Sequence, residues 1–575
     1  MRRVLAPFSS LVLLCVVALF GVAAQPVNPP APAPSGPVNP PGTVNTPLPA
    51  VPTPPMPGTT ASPAPGQTPF PGASGEPAGS ASAEPSAIPT EPPIIVEPPQ
   101  LGVEPGKTAS ARLNSTLGTV TANVADPAVA TATVDQAQRV LFVTGVALGT
   151  TTVTVTDQRG VTRDVPIRVA YAAGTPADTT TVRVTGDPAS ADYLRQVIAD
   201  AVAAAATLRP HANAQVVAET VPIHTDLAQD DQLEVDVPII LSGDGYFTVN
   251  GVTHVIVQNV ALPPIEPARL LVSDYPERLT ADGVLFTARL DRTQAQRFLY
   301  YHYNPGTEPP RRILLKAHNG SNAPATVQLI DGSAGPEGNE LEVGHLSTSR
   351  FLVRQSRNEG LVVTIPAGAT VNLVDAPLPP QNVVSGLVQL RVVSGDPIDL
   401  TLVAQDATAP LDQSITQVAL LAGGAPHARG MYPVPTFYFD RTYDVDGPDL
   451  EIPIGELPLP NLREGQALAG DYGVEQSMNV VIVNMTRGPH SIALYANPRG
   501  GRATGTFLID GTLVQAHGLP AFSRFKIWQD TIAPGTFQRV RVVTMPEGGS
   551  SYPLRLEFAQ DDGSVAPGLP GSPIY

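Results

Sequence analysis

The stretch from Gln25 to about Gln100 constrains this chain most, because it cannot build a core of its own. It consists largely of Pro, Ala, Gly, Ser and Thr, no Lys or Arg falls between Arg3 and Lys107, and Phe70 is its only aromatic residue. Such a composition buries too little apolar surface to offset the entropy lost on ordering. Residues 25–93 are therefore expected to form a disordered Pro-rich linker, and the folded part of the 575-residue chain is expected beyond it, divided among several domains. A polyproline-type segment rises about 3.1 Å per residue, which suits a spacer or stalk.

Residues 1–24 read as an export signal. Arg2 and Arg3 give the positive start, Leu11 to Phe20 an apolar run interrupted by Cys15, and Val22-Ala23-Ala24 a small-residue cleavage pattern. Cys15 is the sole cysteine, so cleavage there leaves a mature chain with no disulfide, as suits a bacterial envelope protein. Lipidation of Cys15 is disfavoured by Leu14, which stands where a small residue is usual. No second apolar segment reaches the length needed to cross a bilayer. The expected location is secreted, periplasmic or cell-surface. The net charge of -17, with Lys107, Lys316 and Lys526 as the only lysines, argues against a nucleic-acid partner, whose phosphates need clustered cations.

Beyond the linker the pattern is mainly β. Ala128 to Val134, Val140 to Val143, Thr151 to Val155 and Thr162 to Val169 are short alternating runs separated by turn residues. Val124-Ala125-Asp126-Pro127-Ala128-Val129-Ala130, then Thr144-Gly145 and Leu148-Gly149-Thr150-Thr151-Thr152-Val153-Thr154-Val155, resemble two bacterial modules. One is the bacterial immunoglobulin-like domain of surface adhesins; the other is the N-terminal module of pilus-formation and secretin-type proteins. The resemblance covers residues 94–172, implies a small β-sandwich used for spacing or adhesion, and brings no catalytic residues.

Residues 179–262 change period. Leu194, Val197, Ile198, Ala201, Val202 and Ala205 recur at helical spacing, with Asp187 and Pro188 as the expected cap and first turn and Pro210 as the stop. Strand-like runs at Val182 to Thr185, Gln215 to Thr220, Leu233 to Leu241 and Tyr246 to Val260 make this a small α+β domain. Residues 264–408 and 430–565 read as two tandem β-sandwiches, copies of one design. Ile313 to Asn319 is set against Asn479 to Asn484, Ile330 to Ser333 against Ile509 to Thr512, Thr348 to Gln355 against Phe522 to Gln529, and Leu402 to Asp406 against Leu556 to Asp561. Order is kept while spacing drifts, as loops of a sandwich allow.

Chemistry is sparse. The nine histidines form no HxxxH pair, and no Gly-x-Ser-x-Gly elbow occurs. No catalytic residue and no cofactor is expected, so the chain reads as a non-enzyme. Tyr301 and Tyr303 fall on one face of a Tyr300-Tyr301-His302-Tyr303 strand, where they offer either sugar stacking or cross-strand packing, with packing favoured. Asp444, Asp446 and Asp449 offer oxygen ligands for calcium, and Asp226, Asp230, Asp231, Glu234 and Asp236 form a second acidic group. Neither follows the EF-hand spacing, and solvated turns are favoured. The function expected is a structural, adhesive or scaffolding role in the envelope. Carbohydrate binding or processing, and assembly of a pilus or secretion channel, are the alternatives; the partner is an envelope, cell-surface or glycan component.

Overall fold

A strand that alternates Thr with Val buries one face and exposes the other, and Gly149–Thr156 does so, sinking Val153 and Val155 into a core. The computed structural model describes residues 92–410, 420–422, 427–463 and 465–564. The described elements belong to one compact unit, Pro89–Tyr575. The expected export signal and nearly all of the expected linker lie outside the described residues.

The first module is a sandwich of two four-stranded sheets. One holds Ile95–Glu97, Thr108–Asn114, Val140–Gly145 and Ala130–Asp135; the other holds Leu101–Val103, Thr162–Val169, Gly149–Thr156 and Thr121–Val124. Leu113, Leu141, Val143, Val165 and Ile167 fill the space between them. The next region docks on this module through Phe247. Its ring lies so near Gly102 that an added Cβ there would stand 2.8 Å from it, and the Arg168 guanidinium stacks 5.2 Å from the ring centre.

Helix α1 (Ala191–Ala205) covers a sheet built from Thr179–Thr185, Gln232–Ser242 and Val249–Asn259. Leu194, Val197, Ile198 and Val202 pack on Val182, Val237, Ile239, Val255 and Val257. The cap is Ser190, whose side chain accepts from Tyr193 N, so the expected cap at Asp187 is displaced by three residues. Gln215 to Thr220 is not a strand: Asn213–Gln215 ends a short one, and Ala218–Thr220 is a 3-10 turn.

The two sandwiches that follow share one strand order, numbered here β1 to β9 and β10 to β18 so that each strand's counterpart lies nine places on. The first comprises β1 (Pro267–Ser273), β2 (Gly283–Leu290), β3 (Ala295–Tyr303), β4 (Arg311–His318), β5 (Ala325–Asp331), β6 (Gly360–Ile365), β7 (Thr370–Leu378), β8 (Val383–Ser394) and β9 (Ile398–Asp406). The second comprises β10 (Thr436–Asp444), β11 (Leu450–Ile454), β12 (Glu475–Asn484), β13 (His490–Pro498), β14 (Ala503–Ile509), β15 (Thr512–Leu519), β16 (Phe525–Ile532), β17 (Thr536–Thr544) and β18 (Leu554–Gln560). Sheets β6-β5-β8-β3-β1 and β7-β4-β9-β2 repeat as β15-β14-β17-β12-β10 and β16-β13-β18-β11, with the β1/β3 and β10/β12 pairs both parallel. At one corner of each, a fully buried asparagine ties the two sheets together: Asn304 donates to the Leu378 carbonyl at 2.9 Å and Asn484 to that of Ile532 at 2.8 Å.

This topology corrects two of the expected correspondences. Ile313 to Asn319 falls on β4, whereas Asn479 to Asn484 falls on β12, whose counterpart is β3. Thr348 to Gln355 lies in a second helix, α2 (Glu340–Ser356), inserted between β5 and β6, whereas Phe525–Ile532 is strand. Ile330 with Ile509 and Leu402 with Leu556 do fall on counterpart strands.

Residues 179–262 and 264–408 share a sheet. Thr179–Thr185 pairs with β6 at Val184↔Leu361 and Thr185↔Gly360, so one eleven-stranded sheet runs through both regions. Side chains close the seam. Gln328 donates to Thr185 Oγ1 at 2.8 Å, Thr185 donates to the Asn358 carbonyl at 2.6 Å, and Asn358 donates to that of Leu262 at 2.7 Å.

Candidate functional site

The densest constellation of polar side chains lies where α2 meets the second sandwich. Phe351 and Leu352 of α2 pack against Leu270, Val272, Leu299 and Leu387 of the first sandwich, and Leu508 and Met545 of the second join the same cluster. The helix approaches closely enough at one point that a Cβ on Gly344 would stand 1.7 Å from the Gly548 carbonyl oxygen. Around this contact the helix carries small polar residues, and Ser347, Thr348 and Ser349 are all buried.

His345 and Glu547 form an ion pair across the contact, with Nδ1 3.0 Å from Oε2 and both side chains fully buried. Thr504 and Thr506 donate to the same carboxylate, Thr506 at 2.7 Å. Ser349 bonds Thr506, and Gln515 reaches both His345 Nε2 at 3.2 Å and Ser349 Oγ at 3.1 Å. Burial opposes the charge on His345, but the Glu547 carboxylate outweighs it and holds the imidazole pKa above its ordinary value. His517 stacks edge-on at 4.2 Å from His345, and burial together with that neighbouring charge pushes its own pKa down.

A second pair spans the same joint. The fully buried Arg297 of β3 donates to Glu475 of β12 at 3.0 Å and to the Pro435 carbonyl at 2.6 Å. Gln355 of α2 donates to the same carboxylate at 2.9 Å, and the Arg297 guanidinium lies 5.4 Å from the centre of the Phe351 ring. A serine, a histidine and a carboxylate thus meet near α2, yet the carboxylate-held histidine turns its second nitrogen to Gln515. His345, Glu547, Ser349, Arg297 and Glu475 each have a partner across the contact, with Arg297 Nε and Ser347 Oγ left without one, and such a web of mutual bonds is the chemistry of a joint.

The residues singled out from sequence lie elsewhere or serve packing. Tyr301 is 6% exposed and packs with Ala334, Val343 and Val383 beneath α2, with Tyr303 at the rim of that cluster and the Arg278 guanidinium 5.2 Å from the Tyr303 ring centre. A sugar ring has no access to the face of Tyr301. Asp444 ends β10, Asp446 is exposed in the turn that follows, and Asp449 lies 3.7 Å from Arg524. Asp226 accepts from Ala191 N at 2.9 Å, Asp230 from Ala261 N at 3.3 Å, and Asp236 and Glu234 flank His254 at 2.8 and 3.5 Å. Among the described residues no group of three or more His, Cys, Asp or Glu side chains is gathered to hold a metal ion. Sequence reading missed the α2 joint, whose one legible signal is a lone Glu-rich start, Glu340 and Glu342, ahead of His345.

No helix among the described residues is long and apolar enough to cross a membrane. No curated protein sequence matches the chain. Among solved structures, domains 5–6 of the S-layer protein SbsC align with 17% identity over 30% of this chain and 100% of that one, at a TM-score of 0.14. The insect immune protein hemolin aligns with 8% identity over 36% and 63%, at 0.16, and SGBP-B of the Bacteroides ovatus mixed-linkage glucan utilization locus with 10% identity over 51% and 71%, at 0.12. Scores this low carry no argument about function. Residues 97–170 match the model of the pilus formation protein N terminal region, one of the two modules that this stretch resembles.

Proposed function

We propose that this chain is a non-catalytic bacterial protein of the cell envelope or exterior, in which β modules joined without hinges act as a scaffold. The observation that carries the reading is the α2 joint. Its most chemically capable residues, His345, Glu547, Arg297 and Glu475, are buried against one another and hold two sandwiches in a fixed relation. Burying two ion pairs is costly unless every hydrogen bond is met, and fixed geometry is what a spacer or scaffold needs from that cost. The shared sheet at Thr185 and Gly360 has the same effect one module earlier.

Cell fractionation with sequencing of the mature N-terminus tests the location; recovery of an uncleaved chain from the cytoplasm would overturn it. Incubating the purified protein with peptide and glycan libraries tests the rest. Turnover abolished by substituting one serine or carboxylate would replace the scaffold with an enzyme.

The match at residues 97–170 favours one narrower reading, a part in pilus or secretion-channel assembly. It predicts co-purification with an envelope complex through that module. A freely released monomer would favour the spacer or adhesive role instead.

A further inference from the structure

Helix α1 and strand β7 face each other across a cleft of about 500 Å³. From the helix come Tyr193, Val197, Asp200, Ala203 and Ala204, which recur at three- and four-residue spacing and so form one wall. The other wall is six consecutive residues of β7, Asn372 to Pro377. Successive residues of a strand point to opposite faces, so six in a row line a cavity only where it runs along the strand's edge. Among the described strands β7 is the outermost of its sheet, paired on one side with β4 alone. Leu329 and Leu361 line the cleft, and Asp331, Ser333 and Arg354 border it as well.

We propose that this cleft binds an extended, neutral or basic peptide of a partner protein, which adds to β7 as one more strand. An unpaired edge turns N–H and C=O groups of alternate residues outward, and the group complementary to such a row is another strand's backbone. The walls match in length. The eleven helical steps from Tyr193 to Ala204 rise about 17 Å, and the five steps from Asn372 to Pro377 span about 17 Å. Tyr193, only 4% exposed, contributes a hydroxyl that bonds to nothing, a buried polar group awaiting a partner.

Charge selects the kind of peptide. Asp200, Asp331 and Asp375 stand along the cleft, Arg354 is the cation that lines it, Arg350 bonds the Ser333 carbonyl beside it, and Asp375 is already held in two bonds by Arg312. No basic residue occupies the last turn of α1, so the negative end of the helix adds to the Asp200 charge. A Lys or Arg of the peptide fits beside Asp200 and Ala204, where small side chains leave room. A polyanion is repelled, and the single aromatic wall residue is buried too deeply to stack on a sugar. This site goes beyond the scaffold reading and stands without it.

Panning the purified full chain against a phage-displayed library of random eight-residue peptides tests the proposal. Enriched sequences should be extended formers with a Lys or Arg and no central Pro. Their affinity for the Ala204→Trp variant, which fills the cleft from an exposed position, should drop at least tenfold while the melting temperature is kept. Asp200→Lys should discard the basic peptides and admit acidic ones, and peptide binding should slow amide exchange at residues 372–377. Peptides that bind Ala204→Trp equally well, binding without protection at 372–377, or no enrichment at all would overturn it, as would binding of neutral oligosaccharides competed by nothing in the peptide set.

Discussion

The two sandwiches share a strand order and a corner asparagine, yet α2 lies along the outer face of one sheet and meets the same face of the other only at its Leu508 and Val543 end. In the first, β3 turns Leu299, Tyr301 and Tyr303 toward α2; counting back from Asn304 and Asn484, the equivalent positions of β12 are Asn479, Val481 and Val483. Asn479 is exposed and bonds Asp440 of the adjacent β10 at 3.1 Å, in a row that continues to Arg541 of β17. The difference follows from one insertion. Between β5 and β6 the first copy carries α2, whereas the second passes from β14 to β15 through Asp510 and Gly511 alone. Covering a face with a helix requires apolar residues beneath it; leaving it to water requires polar ones. A duplicated design thus gains a joint by altering one loop and one face, with both inner cores left intact.

If α2 and its ion pairs make the joint, breaking a pair should cost the most. Arg297→Met leaves Glu475 buried with Gln355 as its remaining side-chain donor, and a loss of about 3–5 kcal/mol is expected. The single tryptophan makes the outcome readable by module: Trp528 sits in β16 beside Phe558, so its fluorescence follows the second sandwich while circular dichroism follows the whole chain. In the wild type the two signals should unfold together, and in Arg297→Met they should separate. Coincident curves in the variant would show that the joint is held by something other than this pair.

The next largest effect tests the approach of the helix. Gly344→Ala sets a methyl group against the Gly548 carbonyl, and overpacking of that kind costs about 1–3 kcal/mol. Its effect should fall on the joint alone, so fluorescence and dichroism again diverge. A variant as stable as wild type would mean that α2 can slide along the second sandwich.

The corner asparagines sharpen the comparison from the opposite direction, since here the copies should agree. Asn304→Ala and Asn484→Ala each strip a buried carbonyl of its donor, and each should lose about 1–3 kcal/mol by chemical denaturation. Values differing by more than a factor of two would show that the shared geometry does not carry a shared energy.

How far these features were legible from sequence depends on which residues carry them. The alternation of Thr and Val at 149–156 and the helical spacing from Leu194 to Val202 announce their elements, because burial there is achieved by apolar side chains. Helix α2 hides, since the face it buries is made of Gly344, His345, Ser347, Thr348 and Ser349 as much as of Phe351 and Leu352, and polar types read as exposed. The duplication was visible in Ile330 and Ile509, yet the repeated Asn endings misled. Asn319 makes the same local turn bonds as Asn484, donating to Ala323 as Asn484 does to Gly488, although it closes a different strand. The clustering of His345 with Glu547 is separated by some two hundred residues and leaves no local trace, as does the pairing of Thr185 with Gly360.

The last expected effect, small near neutral pH, turns on a position where the two cores differ in chemistry. His302 of β3 is fully buried, with Nδ1 3.0 Å from the Pro276 carbonyl, to which it donates, and Nε2 3.2 Å from Ser273 Oγ, from which it accepts; burial pushes its pKa down to about 4. Its counterpart two residues before Asn484 is Ile482, which has no proton to gain. Because the folded value is depressed below the ordinary one near 6.5, the unfolded chain binds the proton first as pH falls. The stability held above that value is lost progressively between about 6.5 and 4, with roughly 1 kcal/mol gone by pH 5.5. Measured as the difference between wild type and His302→Gln, the loss should appear in the dichroism transition, and in Arg297→Met, where the sandwiches are uncoupled, it should leave the Trp528 transition in place. An acid-induced shift of the Trp528 signal in that background, dependent on His302, would mean that the first core still reports to the second through the shared α2 contact, and that the ion pairs fix the orientation of the joint more than they supply its strength.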